Sequence, residues 1–312
     1  MKSASIQSAL HPHGPQADAI ATLTWVLIGS ATLIMLAVLL LAAYALWGAK
    51  PRRAWAAGER FVYGGGVVFP IAALSVLLIY TFMLGRSLAA RAEPPAARIA
   101  VIGHQWWWRV HYLDERGEVD FVTANEIRIP AGRPVELAIE SADVIHSFAV
   151  PNLAAKLDMI PGRVNRLRLH AHAPGTFRGQ CTEYCGGPHA KMAFYVIAET
   201  PADFESWRAR QRAPAASSDD AVLLRGRTLF MAHCIACHTI RGTAAQGALG
   251  PDLTHVGGRI SIAAGILPNN RGTLASWISA SQALKPGNLM PSMNLFAGDD
   301  LQALAAYLES LK

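Results

Sequence analysis

Two long apolar stretches dominate the first quarter of the chain. No charged residue stands between Asp18 and Lys50, a run of 31, or between Arg60 and Arg86, a run of 25. About 20 apolar residues suffice for a helix to cross a bilayer. The pattern therefore predicts two membrane-spanning helices, over about 20–47 and 64–88. The first run is too long for the apolar core of a secretory signal and lacks a basic segment before it. The run Gly64-Gly65-Gly66 and Pro70 predict a kink, or close packing on a partner helix, at the start of the second. Neither span contains an ionisable side chain, so neither is itself a proton path.

After Glu93-Pro94-Pro95 the period shortens. Strand patterns run over 99–112, 126–129, 135–139, 145–150, 164–169 and 192–198, parted by turns such as Pro130-Ala131-Gly132, Pro161-Gly162 and Pro174-Gly175. That spacing predicts a β-sandwich or barrel. A short helix follows over 201–212, then a Pro/Ala/Ser linker over 213–218. Beyond it Leu301, Leu304, Ala305, Leu308 and Leu311 recur at helical spacing. The division is thus 1–97 for tail and spans, 98–200 for an all-β domain, 201–220 for helix and linker, and 221–312 for an all-α domain.

Charge adds an orientation. The chain of 312 residues carries a net charge of +6. Lys50, Arg52, Arg53 and Arg60 crowd the loop between the spans against Glu59 alone. The positive-inside rule makes that loop cytoplasmic, with the N-terminal tail and everything after Arg86 on the outer, periplasmic side. Topology explains these cations, and nucleic acid is not implied. The all-β domain is nearly neutral, with 11 basic and 10 acidic residues over 98–198.

The chemistry lies in four cysteines. Cys181, Cys185, His189 and Met192 bring two thiols, an imidazole and a thioether into twelve residues. Soft sulfur with borderline nitrogen selects copper over hard cations. Two cysteines four apart can bridge a pair of copper ions, with His189 on one and Met192 as a weak ligand. The second ion then needs another imidazole, and His146 is the natural candidate. A disulfide would leave His189, Met192 and Glu183 unexplained, and zinc has little use for a thioether. The other pair stands in Cys234-Ile235-Ala236-Cys237-His238, the pattern of covalent haem c attachment with an axial imidazole. Zinc at this motif would need a second Cys/His pair, and His233 and His255 read as surface or packing residues. Met290 and Met293 offer a sixth ligand to the iron.

The pattern C-x-E-x-C-G-x-x-H-x-x-M after a distant histidine resembles the CuA centre of the cytochrome c oxidase subunit II family. The likeness covers residues 20–200 and includes Gly103-His104-Gln105-Trp106-Trp107-Trp108, His146 to Pro151 and Asp158 to Arg163. It implies a cupredoxin sandwich whose rigid frame fixes the ligand loop. It further implies a Glu183 backbone carbonyl on copper, a Glu183 carboxylate on magnesium at the contact with subunit I, and Trp106 as the residue admitting electrons. Trp107 and Trp108 read better as a core or interfacial cluster. Residues 222–312 resemble class I cytochrome c, with Gly226 to Phe230 opening a helix that packs on one over Asp299 to Leu311, and Gly250-Pro251 supporting His238. In that family the methionine ligand follows a Pro-Gly pair by three residues, which favours Met290. Trp277 is either a haem propionate partner or core.

The resemblance implies an electron-transfer subunit of a bacterial inner-membrane oxidase. Its expected partners are subunits I and III, the lipid bilayer, and a cytochrome or cytochrome bc complex as donor. Electrons would run from haem c to CuA and on to subunit I, where oxygen reduction coupled to proton translocation resides. A subunit of a nitrous oxide or nitric oxide reductase, a metal sensor or assembly factor, and a quinol oxidase subunit are the rivals. The last would lack these copper ligands.

Overall fold

A computed structural model describes residues 6–48, 58–89 and 93–312. Lys50, Arg52 and Arg53, on which the membrane orientation rests, lie outside the described residues. The chain divides into two compact units, Asp18–Glu93 and a larger one joining Met1–Ala17 to Pro94–Lys312.

In the smaller unit, helix α1 (Pro15–Trp47) has 33 residues, about 50 Å at the helical rise, enough to cross the hydrocarbon core and continue beyond it. The second span starts as α2 (Glu59–Tyr63), widens into a π-helical turn over Gly64–Val68, and resumes as α3 (Phe69–Ala89). Phe69 N donates to Gly64 O, five residues back. Pro70 has no N–H, and its ring would crowd the carbonyl four residues earlier. A widened turn therefore accommodates Pro70, and the three glycines offer it no steric resistance.

The larger unit begins with the N-terminal tail. Ile6 O accepts from Arg178 N, His13 N donates to Asn152 O at 2.7 Å, and His172 N donates to His13 O. The tail therefore packs with the β domain.

Ten strands build the sandwich: β1 (Arg98–His104), β2 (Trp107–Leu113), β3 (Val119–Ala124), β4 (Glu126–Pro130), β5 (Val135–Ser141), β6 (His146–Ala149), β7 (Leu157–Met159), β8 (Asn165–Leu169), β9 (Gly175–Cys181) and β10 (Ala193–Glu199). One sheet has the order β3-β2-β1-β5-β8 and the other β4-β10-β9-β6-β7. The span 99–112, read as one strand, is instead a hairpin in which Gly103 pairs with Trp108 and His104 with Trp107. Alternate residues such as Ile99, Val101, Leu137, Ile139, Phe177 and Val196 face inward to one core. Helix α4 (Pro201–Arg212), capped by Thr200, closes one end with Phe204 and Trp207.

The C-terminal domain carries α5 (Ala221–His233), α6 (Arg271–Leu284) and α7 (Gly298–Ser310), with a small hairpin of β11 (Ser261–Ile262) and β12 (Leu267–Pro268). Helices α5 and α7 cross at Gly226, where an added Cβ would stand 2.1 Å from Ala303 O. Only a glycine allows that approach. Phe230 and Tyr307 pack beside it with ring centroids 6.0 Å apart. This is the helix pairing expected from the sequence.

Candidate metal centre

Two strand ends and the loop between β9 and β10 hold the sulfur site. Cys181 closes β9 and His146 opens β6, and the two strands pair through Phe148 and Cys181. The loop from 182 to 192 folds back on itself: His189 N donates to Gly186 O, Met192 N to His189 O, and Cys181 N to Met192 O at 2.9 Å. All six expected donors converge. Cys181 Sγ lies 3.8 Å from Cys185 Sγ, 3.9 Å from His146 Nδ1 and 3.2 Å from Glu183 O. Cys185 Sγ lies 3.4 Å from His189 Nδ1 and 3.9 Å from Met192 Sδ. Cys181, Cys185 and His146 are buried, with ligand atoms within 4.8 Å of one another.

This donor set fits copper. Both thiols are free, and with metal–thiolate bonds of about 2.3 Å a pair of sulfurs this close can share an ion. Three soft sulfurs and two borderline imidazoles outnumber the one hard carbonyl. The Cys185 hydrogen bond holds Cys181 down to about 4, so one thiolate forms readily. The same contact, with burial, pushes Cys185 up.

Several neighbours escaped the sequence reading. Burial alone would lower the pKa of His146, but its hydrogen bonds to Cys181 and Asp143 outweigh that and raise it. Asp143 Oδ1 holds Nε2 of that ring at 2.8 Å, while Asp143 Oδ2 accepts from Gln105 N at 2.7 Å. Gln105 Nε2 and Trp106 Nε1 both donate to Cys185 O, at 2.8 and 2.9 Å. Gly103 passes under the His146 ring, where a Cβ would meet Cδ2 at 2.8 Å. An Asp three residues before a histidine carries no sequence signal of its own. Trp108 is core and Trp107 is half-exposed, its ring stacked on His104 at 4.8 Å with the Arg109 guanidinium over it at 5.1 Å.

The second centre grows from a helix end. Cys234 caps α5, and its carbonyl accepts from both Cys237 N and His238 N. One tight turn thus gathers two free thiols and an imidazole. His238 Nδ1 bonds Pro251 O at 2.9 Å, which leaves Nε2 for an iron. Burial pushes His238 down, keeping it neutral and able to ligate. Met290 and Met293 are both half-buried against the same apolar cluster, as is Trp277. These residues fit a covalently held haem. His255 bridges Lys312 O and Ala213 O as a buried packing residue, and His233 lies exposed and edge-on to Phe296.

The family model for the periplasmic domain of cytochrome c oxidase subunit II matches residues 115–199, and that for cytochrome c matches 223–312. A cytochrome c oxidase subunit 2 of Alkalihalophilus pseudofirmus is 34% identical, over 98% of this chain and 91% of that one. The chain belongs to the cytochrome c oxidase subunit II family. A subunit 2 of Arabidopsis thaliana is 32% identical over 58% of this chain and 80% of its own length. The solved periplasmic domain of subunit II from Bradyrhizobium japonicum is 30% identical, covering 38% of this chain and 96% of that one, with a TM-score of 0.36. A subunit II domain implies a CuA centre and a cytochrome c domain implies a haem, and the Cys181, Cys185 and His146 cluster fits copper. As a subunit II with two spans long and apolar enough to cross a membrane, the chain is part of an electron-transporting oxidoreductase.

Proposed function

We propose that this subunit II carries single electrons from a haem c in its own C-terminal domain to a dinuclear CuA centre, and from there to the haem of subunit I. When bound, each of the two groups takes up and releases one electron at a time. His146, Cys181, the Glu183 carbonyl, Cys185, His189 and Met192 hold the copper. Cys234 and Cys237 would bind the haem covalently, and His238 and Met290 would hold its iron. Trp106 passes electrons toward the Cys185 side of the copper site. The chain of short contacts that links three sulfurs and two imidazoles, each 3.4–3.9 Å from Cys181 Sγ or Cys185 Sγ, carries this reading.

The remaining residues work by fixing positions. Strand ends at Cys181 and His146 leave the ligands little room to shift between oxidation states, which keeps the electron transfer fast. The exposed Val144, Ile145 and Tyr184 beside these ligands suit a protein contact, and subunit I is the partner assigned to them. Glu183 offers subunit I a hard, half-exposed carboxylate, 3.9 Å from Lys156, suited to a shared magnesium. Subunit III, and a cytochrome or cytochrome bc complex as donor, complete the assembly. The two spans anchor it in a bacterial inner membrane with both soluble domains on the periplasmic side. Oxygen reduction and proton translocation belong to subunit I.

The test is a combined absorption and electron paramagnetic resonance spectrum of the purified chain reconstituted with copper. A multiline mixed-valence copper signal beside a low-spin haem c is expected. A single-copper or copper-free spectrum from the reduced thiols would sink the proposal.

A further inference from the structure

The haem domain and the copper domain meet along a seam, and one lysine in that seam is chemically out of place. Lys285 is 3% exposed. Its ammonium donates to Trp106 O of the copper domain at 2.6 Å and to Ala263 O of its own domain at 3.2 Å. Both partners are neutral carbonyls. Burial pushes its pKa down to about 7, and the neighbouring Lys191 pushes it the same way, with Cys185 opposing. Removing an ammonium from water is costly unless its position brings something in return, and a leucine or methionine would fill the same space at lower cost.

Strain at the same seam points the same way. Ala263 and Ala264 adopt φ of +56° and +63°, left-handed conformations that side chains with a Cβ avoid. The carbonyls of both are directed into the seam: Ala263 O receives Lys285, and Ala264 O receives Ala193 N from the copper domain at 2.9 Å. Strained backbone persists where surrounding contacts over-determine it, and such places concentrate at functional sites. Nearby, Lys191 Nζ donates to Leu284 O at 2.6 Å, Ile260 N to Glu126 Oε2 at 2.9 Å, and Arg109 Nη2 to Ala248 O at 2.5 Å.

The lysine sits at the start of the methionine loop. Two residues on, a Cβ at Gly287 would stand 3.9 Å from the Trp106 ring, and the loop then continues to Met290. Trp106 in turn bonds Cys185 O. One short stretch of chain therefore joins the candidate haem ligand to the indole that touches the copper loop.

We propose that Lys285 is a positioning residue for electron transfer within the chain, pinning the methionine loop against Trp106 and holding the haem domain in its donating pose. The inference rests on the electron path proposed above. In the step it serves, the haem domain is oxidised by one electron and the copper domain is reduced by one. No proton moves and no bond forms or breaks. The electron is replaced from the external reduced cytochrome of that path.

The test uses the full chain carrying haem and copper, as wild type, Lys285→Met and Lys285→Arg. Methionine keeps the length and apolar fill of the lysine, and arginine keeps its charge and donors. Photoreduction of the haem followed at the copper absorption should show transfer slowed about tenfold or more in Lys285→Met, the scale of a misplaced reacting pair. Haem and copper spectra should be unchanged, and Lys285→Arg should recover part of the rate. Amide exchange should show lost protection in segments 104–110, 190–194 and 260–266 of Lys285→Met, with or without copper. An unchanged rate and unchanged protection overturn the proposal. So does a slowed rate with altered spectra, which would make Lys285 a support of one centre. If Lys285→Met does not fold, Lys191→Met decides, since it removes a second bond across the seam, to Leu284 O just before that loop, and should slow transfer to a smaller degree. A wild-type chain without a copper signal defeats the electron path instead, and amide exchange still judges the latch.

Discussion

Asp143 Oδ1 lies 2.8 Å from Nε2 of His146, on the ring edge opposite the nitrogen that faces Cys181. A carboxylate in that position fixes the orientation and tautomer of a ligating imidazole and raises its basicity. Asp143→Asn should therefore weaken copper binding by about 10–100-fold while leaving the fold intact. Competition with a chelator of known affinity measures this, and unchanged affinity would show that the pair is incidental.

The axial methionine can be decided by substitution. Met290→Leu should abolish the weak near-infrared sulfur-to-iron absorption of the oxidised haem and lower its reduction potential. Met293→Leu should leave both in place. Met290 is held by its own backbone, its N–H reaching Asn288 Oδ1 and its carbonyl receiving Ser281 Oγ and Gln282 Nε2. The opposite pattern in the two variants would move the ligand to Met293.

Helix crossing in the haem domain depends on one absent side chain. Gly226→Val would drive carbon atoms into Ala303 O and Tyr307 Cβ. Overpacking of this kind costs about 1–3 kcal/mol. Denaturant titration of the haem domain transition in the full chain should show a lower midpoint with an unchanged slope.

A half-buried histidine gives the copper domain an acid-side weakness. Burial, then Arg109, pushes His104 down to about 4 from an ordinary value of 6.5. Among the described residues its Nε2 has no hydrogen-bond partner. As pH falls, the unfolded chain takes up this proton before the folded chain does. The stability associated with neutral His104 is thus complete above about 6.5 and is lost progressively as pH drops toward 4. His104→Phe, which keeps the stacking on Trp107, should flatten the fall of melting temperature across that window. An equal slope in both proteins would refute the assignment.

What could be read from the sequence divides along physical lines. The spans were legible because an unbroken apolar run needs no partner to interpret, and helix α4 because Thr200 and Pro201 mark its start. Strand β9 was missed because Gly175 and Gly179 interrupt its inward row, the second lying under the Phe194 ring. The β1–β2 hairpin was hidden because Gln105-Trp106 has no turn-forming residue. β3, with Asp120 on it, and the three-residue β7 give too little alternation. Five of the six copper donors lie in one short segment, so the site declared itself. Lys285 could not, because its partner Trp106 is 179 residues away in the chain.

The N-terminal tail carries a practical consequence. Strand β9 pairs with β6 only at Gln180 and Cys181, and beyond that point Ile6 O takes up the amide of Arg178. Gln7 Oε1 binds the Arg178 side chain and His11 O the Asn152 amide. A soluble fragment cut to begin at β1 would leave these donors to water along a raw sheet margin. Recombinant copper domains of this subunit should therefore be better behaved when residues 6–17 are grafted back through a flexible spacer.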